Sequence, residues 1–355
     1  MIARADNAAS FAARPMPSVA PLPASPRIVV AGAGTIGCFV GGQLAAAGRD
    51  VRFLARPRLR DELAAHGLVL TDVEGATVRL AAADLTVEVD AAVLAGADVV
   101  LVTVKSGATA EIAASIARHA PAAAVVVSLQ NGVDNARILA EALPGRAVFA
   151  GMVPFNVAAL GDGRFHRGTD GTILIDAQAA PLAAALSTPH LPIGTHPDMA
   201  AVAWGKLLLN LNNALNALAG VPLREELADR AWRRLLASCI DEALVALAAA
   251  DIRPAKVGAL PPALIPKVLR LPDALFRLVA AAQLRIDPKA RSSMADDLQQ
   301  RRLTEIDQLQ GRVVALAEAQ GTPAPMNRAV LALVKAAEAK GVGSPRLSPG
   351  DIRAG

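Results

Sequence analysis

The sequence predicts an α/β chain, with a parallel sheet wound by helices on both faces followed by an all-helical half. Three observations lead there. From Arg27 to Pro197 short apolar runs alternate with alanine-rich stretches, the pattern of strands buried on both faces. A glycine-rich loop, Gly32-Ala33-Gly34-Thr35-Ile36-Gly37, follows the first run and opens a helical stretch. From Ala200 on, long helical periods with polar or glycine stops take over.

The strand runs are "RIVVAGAG", "DVRFLAR", "ADVVLVTVK", "AAVVVSLQNG" and "AVFAGMVPF". Two further segments, "GLVLTDVEGATVRL" and "GRFHRGTDGTILID", read as hairpins appended to the sheet. The second half reads as helices over "VAWGKLLLNLNNALNALAG", "DRAWRRLLASCIDEALVALAAADI", "MADDLQQRRLTEIDQLQGRVVALAEAQG" and "NRAVLALVKAAEAKG". The expected division is a disordered leader over 1–26, a sheet domain over 27–197, a helical domain over 198–342 and a flexible tail over 343–355. At 355 residues the chain is too long for one core, so two domains are the natural reading.

Composition excludes several classes. The net charge of +4 is spread along the chain, with no aromatic-interleaved basic run, so no nucleic-acid partner is expected. Cys38 and Cys239 are the only cysteines, far apart, which argues against a disulfide framework or zinc cluster and fits a reducing cytoplasm. The five histidines show no paired ligand spacing, and no metal is expected. No run of eighteen apolar residues exists, so no membrane span is expected. The leader lacks the continuous apolar core of a secretory signal.

The glycine loop has a specific physical use. Gly32 permits a tight turn, Gly34 lets the backbone approach a pyrophosphate, and Gly37 lets helix and strand pack closely. The helix N-terminus offers unpaired N–H groups to phosphate, with Ala33, Thr35 and Ile36 completing the cradle. This is a Rossmann-type dinucleotide site. The second strand ends at Arg56 with no carboxylate beside it, and Arg58 and Arg60 follow. Guanidinium groups there suit a 2′-phosphate, so NADPH is expected over NADH; the alternative is a solvated basic loop. Lys105 and Asn131 stand just past the third and fourth strands, where ligands of such sheets lie. Singly they read as a surface charge and a turn; their shared position points to cofactor or substrate contact.

In the helical half Lys206, Asn210 and Asn213 are spaced i, i+4, i+7, on one helix face. Asparagine is a poor helix former, so the four at 210, 212, 213 and 216 need a reason. Either they cross-link buried helices, or they form a polar strip on which Lys206 donates a proton. Ser293 with Asp296 reads as a capping pair at a helix start that could also receive a carboxylate. Glu305, twelve residues on, falls about three turns deeper along that helix.

Taken in order, Gly32–Gly37, Arg56, the lysine of "VTVK", the asparagine of "LQNG", "W-x-K-L-x-x-N" and "SSM…TEID" resemble the ketopantoate reductases (2-dehydropantoate 2-reductases). The resemblance runs from about Arg27 to Gly341. It implies a Rossmann-type domain followed by an all-helical, 6-phosphogluconate-dehydrogenase-like C-terminal domain, and NADPH-dependent reduction of 2-dehydropantoate to pantoate on the route to pantothenate. It also implies roles. Lys206 is then the general acid, and Glu305 orients substrate and cofactor. Asn210 and Ser293 contact the substrate, with Asn213 a neighbouring candidate, and Lys105 and Asn131 position cofactor and substrate. The chain departs from the family at Ala214, Arg224 and Ala290, where asparagines are usual. Those changes leave open a different branched or aromatic 2-keto acid, and a non-catalytic NADPH-binding regulator is the rival of another class. A monomer or a homodimer fits equally.

Overall fold

The computed structural model describes residues 22–279 and 290–353; the leader expected over 1–26 falls mostly on 1–21, outside the described residues. Contacts divide the chain into one unit through Ala200 and another from Ala201.

The first unit runs β1 (Ile28–Ala31), α1 (Thr35–Ala46), β2 (Val51–Leu54), α2 (Pro57–His66), β3 (Leu68–Asp72), β4 (Thr77–Leu80), β5 (Thr86–Glu88), β6 (Val99–Val102), α3 (Thr109–His119), β7 (Val125–Ser128), α4 (Asn135–Ala142), β8 (Val148–Met152), β9 (Val157–Gly161), β10 (Arg164–Arg167), β11 (Ile173–Asp176), α5 (Ala180–Leu186) and β12 (Ile193–His196). Eight strands form one sheet in the order β12-β11-β8-β7-β6-β1-β2-β5. All neighbours from β5 to β8 are parallel, and β11 is antiparallel to β8. Strand order reverses between β1 and β6, which is where a sheet of this kind opens a crevice at its carboxyl ends.

Alternation builds the core. Ile28 and Val30 of β1 enter one apolar cluster with Phe39, Val40 and Leu44 of α1. Val29 and Ala31 enter the other, with Ile112, Ala113 and Ile116 of α3. Side chains of a strand alternate in direction, so a strand apolar at every position needs cover on both faces.

The expected hairpin over "GLVLTDVEGATVRL" is β3 and β4, paired antiparallel. The second expected hairpin is not one: β10 joins a four-stranded sheet, β4-β3-β10-β9, while β11 joins the large sheet. Arg167 explains the parting. Its guanidinium is buried against Asp72, 3.1 Å away, and lies 5.6 Å over the rings of both Phe39 and Phe155. That anchors β10 to β3, while Ile173 and Ile175 fill the large-sheet core.

The second unit comprises α6 (Met199–Asn210, whose first two residues belong to the first unit), α7 (Asn212–Ala219), α8 (Leu223–Ala228), α9 (Arg230–Ala249), α10 (Ile265–Leu269), α11 (Asp273–Val279), α12 (Ser293–Gln299), α13 (Gln310–Gln320) and α14 (Pro325–Lys340). Three expectations are corrected there. The first helical stretch divides at Leu211 into α6 and α7, and at that junction Gln310 Nε2 donates to the Leu211 carbonyl at 2.8 Å. The third stops after Gln299: Arg301 adopts φ 55°, Arg302 N donates to Asp297 O, and Arg301 N donates to Leu298 O. That is a Schellman closure made without glycine. Finally, residues 343–353, expected as a flexible tail, are held: Leu347 N donates to Leu218 O at 2.9 Å and Ile352 is buried.

Among the described residues no helix is long and apolar enough to cross a membrane.

Candidate functional site

In the first unit the glycine loop joins β1 to α1. Gly32 has φ +101°, and a Cβ there would run into Val104. A Cβ on Gly37 would stand 2.6 Å from Thr103 Oγ1 and 2.7 Å from Gly32 O, so helix and strands touch through it. Gly34 differs: a Cβ would meet nothing nearer than 3.9 Å, leaving that side of the loop open. Gly34 is the N-cap of α1, and no side chain caps the helix. Ala33, Thr35 and Ile36 complete the turn, with Ala33 N donating to Leu54 O at 3.0 Å. Close packing behind, open space in front and an uncapped helix start fit a dinucleotide pyrophosphate.

The bond to Leu54 ties the loop to the end of β2, two residues before Arg56. Arg56 is the N-cap residue of α2, and both Arg56 and Arg58 are exposed with no ion pair among the described residues. Arg60 instead pairs with Asp61 at 2.6 Å. The sheet also brings Glu88 beside this edge, opposite Leu54 in β5, an acid that neighbours along the chain could not reveal.

Lys105 and Asn131 are exposed at the ends of β6 and β7, and a buried polar network joins their loops. Ser106 Oγ donates to Asn131 O at 3.0 Å, and Asn135 Nδ2 donates to the same carbonyl and to Ser106 Oγ. Thr109 Oγ1 lies 2.8 Å from Asn135 Oδ1 and accepts from Gln130 Nε2, itself bonded to Val104 O. A satisfied network of this kind fixes both loops to one another. Sequence reading missed Ser106, Thr109, Gln130 and Asn135; polar residues in a run otherwise bound for the core were the available signal.

In the second unit Lys206 lies on α6 among leucines. Burial pulls its ammonium pKa down from 10.5 to about 8, since desolvation disfavours the charged form. Asn210 closes the same helix and Asn213 follows just past the break; both are half-buried. Asn212 and Asn216 do the cross-linking: both amides face Glu226, Asn216 Nδ2 donating to Oε2 at 2.7 Å. The cross-linking reading therefore holds for Asn212 and Asn216.

The helix start near Ser293 needs a correction. The capping residue is Ser292, whose Oγ accepts from Ala295 N at 3.1 Å and donates to Asn213 O at 2.9 Å. Ser292 N also donates to Asn216 Oδ1. Ser293 is therefore the first helical residue, exposed beside a buried cap. Glu305 is not deeper on α12, which has already ended; it opens a short 3-10 turn over Ile306–Gln308. Thr304 holds that turn, its N and Oγ1 both donating to Glu338 Oε1 at 2.7 Å, and Asp307 pairs with Lys335 at 2.5 Å. Gln310, five residues beyond Glu305, bonds the α6–α7 junction. The segments carrying Lys206, Asn210, Asn213, Ser293 and Glu305 are thus bonded directly to one another. Among the described residues no group of three or more His, Cys, Asp or Glu could hold a metal ion.

Comparison with known proteins agrees with this geometry. Residues 28–179 match the family model "Ketopantoate reductase PanE/ApbA", and residues 198–338 match its C-terminal counterpart. A 2-dehydropantoate 2-reductase of Halobacterium salinarum is 30% identical over 328 residues, covering 89% of this chain and all of that protein. The crystal structure of a PanE/ApbA family ketopantoate reductase from Ralstonia eutropha superposes with a TM-score of 0.75 at 30% identity, over 89% of this chain and 99% of that one. The ternary structure of D-mandelate dehydrogenase with NADH and anilino(oxo)acetate shares the fold, with a TM-score of 0.74 at 20% identity, over 89% and 99% of the two chains. The two family models and the 30% identical relative place the chain in the ketopantoate reductase family, as an oxidoreductase that uses a nicotinamide dinucleotide.

Proposed function

We propose that the chain reduces 2-dehydropantoate to pantoate with NADPH, a step toward pantothenate. The observation that carries this reading is Lys206, a half-buried lysine whose pKa desolvation draws to about 8, on the helix that also bears Asn210. A general acid works best with a pKa near the working pH.

Gly32 to Gly37 cradle the pyrophosphate through backbone N–H groups, and Arg56 with Arg58 pair with the 2′-phosphate. Lys105 and Asn131 hold the ribose and amide end in register with the substrate. The bound nicotinamide supplies the hydride that the keto carbon accepts. As charge develops on the keto oxygen, the Lys206 ammonium donates its proton there, so carbonyl and hydride become a hydroxyl-bearing carbon. Ser293 bonds the substrate carboxylate, Asn210 and Asn213 bond its oxygens, and Glu305 orients it; fixing C2 in this way replaces a costly search with one geometry.

A second reading, an aromatic 2-keto acid, draws on alanine at 214 and 290, where the family's asparagines are missing, and on the fold shared with D-mandelate dehydrogenase. Oxidation of NADPH by the purified protein decides. It is followed at saturating 2-dehydropantoate, then with a branched and an aromatic 2-keto acid, each repeated with NADH. Highest kcat/KM for 2-dehydropantoate with NADPH is expected. Preference for the aromatic acid moves the substrate, and no turnover alongside tight NADPH binding refutes the enzymatic reading.

A further inference from the structure

Glu226 is a buried acid for which the reaction above has no use. It lies on α8 with 1% of its surface exposed. Oε2 accepts from Asn216 Nδ2 at 2.7 Å and faces Asn212 Nδ2 at 3.5 Å. Its other oxygen, Oε1, and Asn212 Oδ1 are both buried with no hydrogen-bond partner among the described residues. With Glu226 ionised, these two atoms are acceptors only, and neither can satisfy the other. A proton on the carboxyl turns Oε1 into a donor, and an acid facing an amide can then exchange two hydrogen bonds.

Beyond Asn216 the chain of contacts continues. Asn216 Oδ1 accepts from Ser292 N at 2.9 Å, and Ser292 Oγ donates to Asn213 O at 2.9 Å. Ser292 precedes Ser293, so the path from Glu226 ends on two residues assigned to the substrate.

We infer that Glu226 is a positioning residue: as a neutral carboxylic acid it sets Asn212 and Asn216, and through Asn216 and Ser292 it places Asn213 and Ser293 for the keto acid. The substrate end of this inference rests on the function proposed above; the hydrogen-bonded path does not.

The surroundings favour the acid form. Burial pushes the Glu226 pKa up to about 8, against the lowering effect of the Asn216 and Asn212 amides. Charged groups on the neighbouring elements are engaged elsewhere or exposed. On α9, Arg233 donates to Asp273 and to the carbonyls of Leu227 and Ala228, Arg230 donates to Arg270 O, and Glu242 accepts from Met326 and Asn327. Arg234 and Asp241 also lie on α9, with Asp241 paired to Arg270. On α8, Arg224 and Glu225 are both exposed; on α12, Asp296 is exposed and Asp297 pairs with Arg302. Helix α7 carries no charged residue.

The test compares the full chain with Glu226→Gln, which stays neutral and keeps both hydrogen-bonding ends, and Glu226→Leu, which keeps the volume and loses them. Infrared difference spectra between about pH 6 and about pH 9 read the acid directly. The wild type should lose a carboxylic acid carbonyl band that Glu226→Gln lacks, and no such difference overturns the acid form. In steady-state kinetics Glu226→Leu should raise the KM for the keto acid about tenfold while the NADPH KM stays within about twofold, and Glu226→Gln should restore it. An unchanged KM, or equal losses in every constant, overturns the positioning role. Should Glu226→Leu not fold, Asn216→Ala breaks the path one link further on and should give the same KM rise. If the wild type turns over no keto acid, the proposed function fails on its own. Glu226 is then judged by amide exchange at Ser292 and Ala295, which should quicken in the leucine variant and not in the glutamine one; unchanged exchange overturns the inference.

Discussion

Gln310 Nε2 donates to the main-chain oxygen of Leu211 across 2.8 Å, at the junction between α6 and α7. The carbonyl lies between Asn210 and Asn213 in the chain, so the bond joins α13 to the segment that carries both asparagines. Gln310 is fully buried, and its carrier α13 begins just past the turn that holds Glu305.

Replacing it tests that linkage. Gln310→Leu keeps the bulk and removes the side-chain bond to that carbonyl, at a cost of about 1–3 kcal/mol for the lost buried bond. Chemical denaturation should show that loss, and kinetics should show a higher KM for the keto acid at an unchanged KM for NADPH. Equal stability and equal KM would mean that the bond sets nothing.

Lys206 makes a pH prediction with a definite sign. Its pKa is lowered to about 8, so the ammonium predominates at neutral pH and is lost as pH rises through that value. Since the protonated form is the donor, kcat/KM for reduction should be flat below about pH 8 and fall about tenfold per unit above it. Lys206→Ala should cut kcat by about 10²–10⁴ and leave the NADPH dissociation constant within about twofold. Glu226→Gln should retain the Lys206 limb, which separates the two groups. A flat profile to pH 10 in the wild type would rule out Lys206 as the donor.

The glycines of the loop should separate binding from folding. Gly37→Ala places a Cβ 2.6 Å from Thr103 Oγ1 and 2.7 Å from Gly32 O, so the melting temperature should drop by several degrees. Gly34→Ala meets no protein atom nearer than 3.9 Å, so the melting temperature should hold while NADPH binds about tenfold or more weakly. Calorimetry and fluorescence titration read the two. The reverse pattern would refute the cradle.

Arg56→Ala should weaken NADPH about tenfold, the scale of a charge-assisted phosphate contact, and NADH by less than about twofold. Glu88→Ala controls for the acid that the sheet brings alongside, and should favour NADPH or leave the ratio unchanged. Equal losses for both cofactors after Arg56→Ala would remove the 2′-phosphate contact.

Much of this was legible along the chain, for physical reasons. The glycine loop and the uniformly apolar strands are local signals of a parallel sheet, and Lys206 with Asn210 shows in helical spacing. What escaped was decided by partners distant in sequence. Nothing near Leu211 says that a glutamine ninety-nine residues away takes its carbonyl. Ser292 and Ser293 stand equally well as caps, and the Ser293-Asp296 pattern favours the second; the amide of Asn216, bonded to Ser292, decides for the first. Glu225 and Glu226 are alike in sequence, yet one is exposed and the other buried. The "GRFHRGTDGTILID" segment splits between two sheets because Arg167 is committed to Asp72, ninety-five residues earlier.

Arg301 closes α12 in a left-handed conformation that glycine would adopt without strain, and an L-residue there bears about 1 kcal/mol. Glycine would relieve that cost but open many more backbone states to the stretch ahead of Thr304 and Glu305. The arginine confines the approach to Glu305 to few states. Stiffness of the backbone here is drawn from stability.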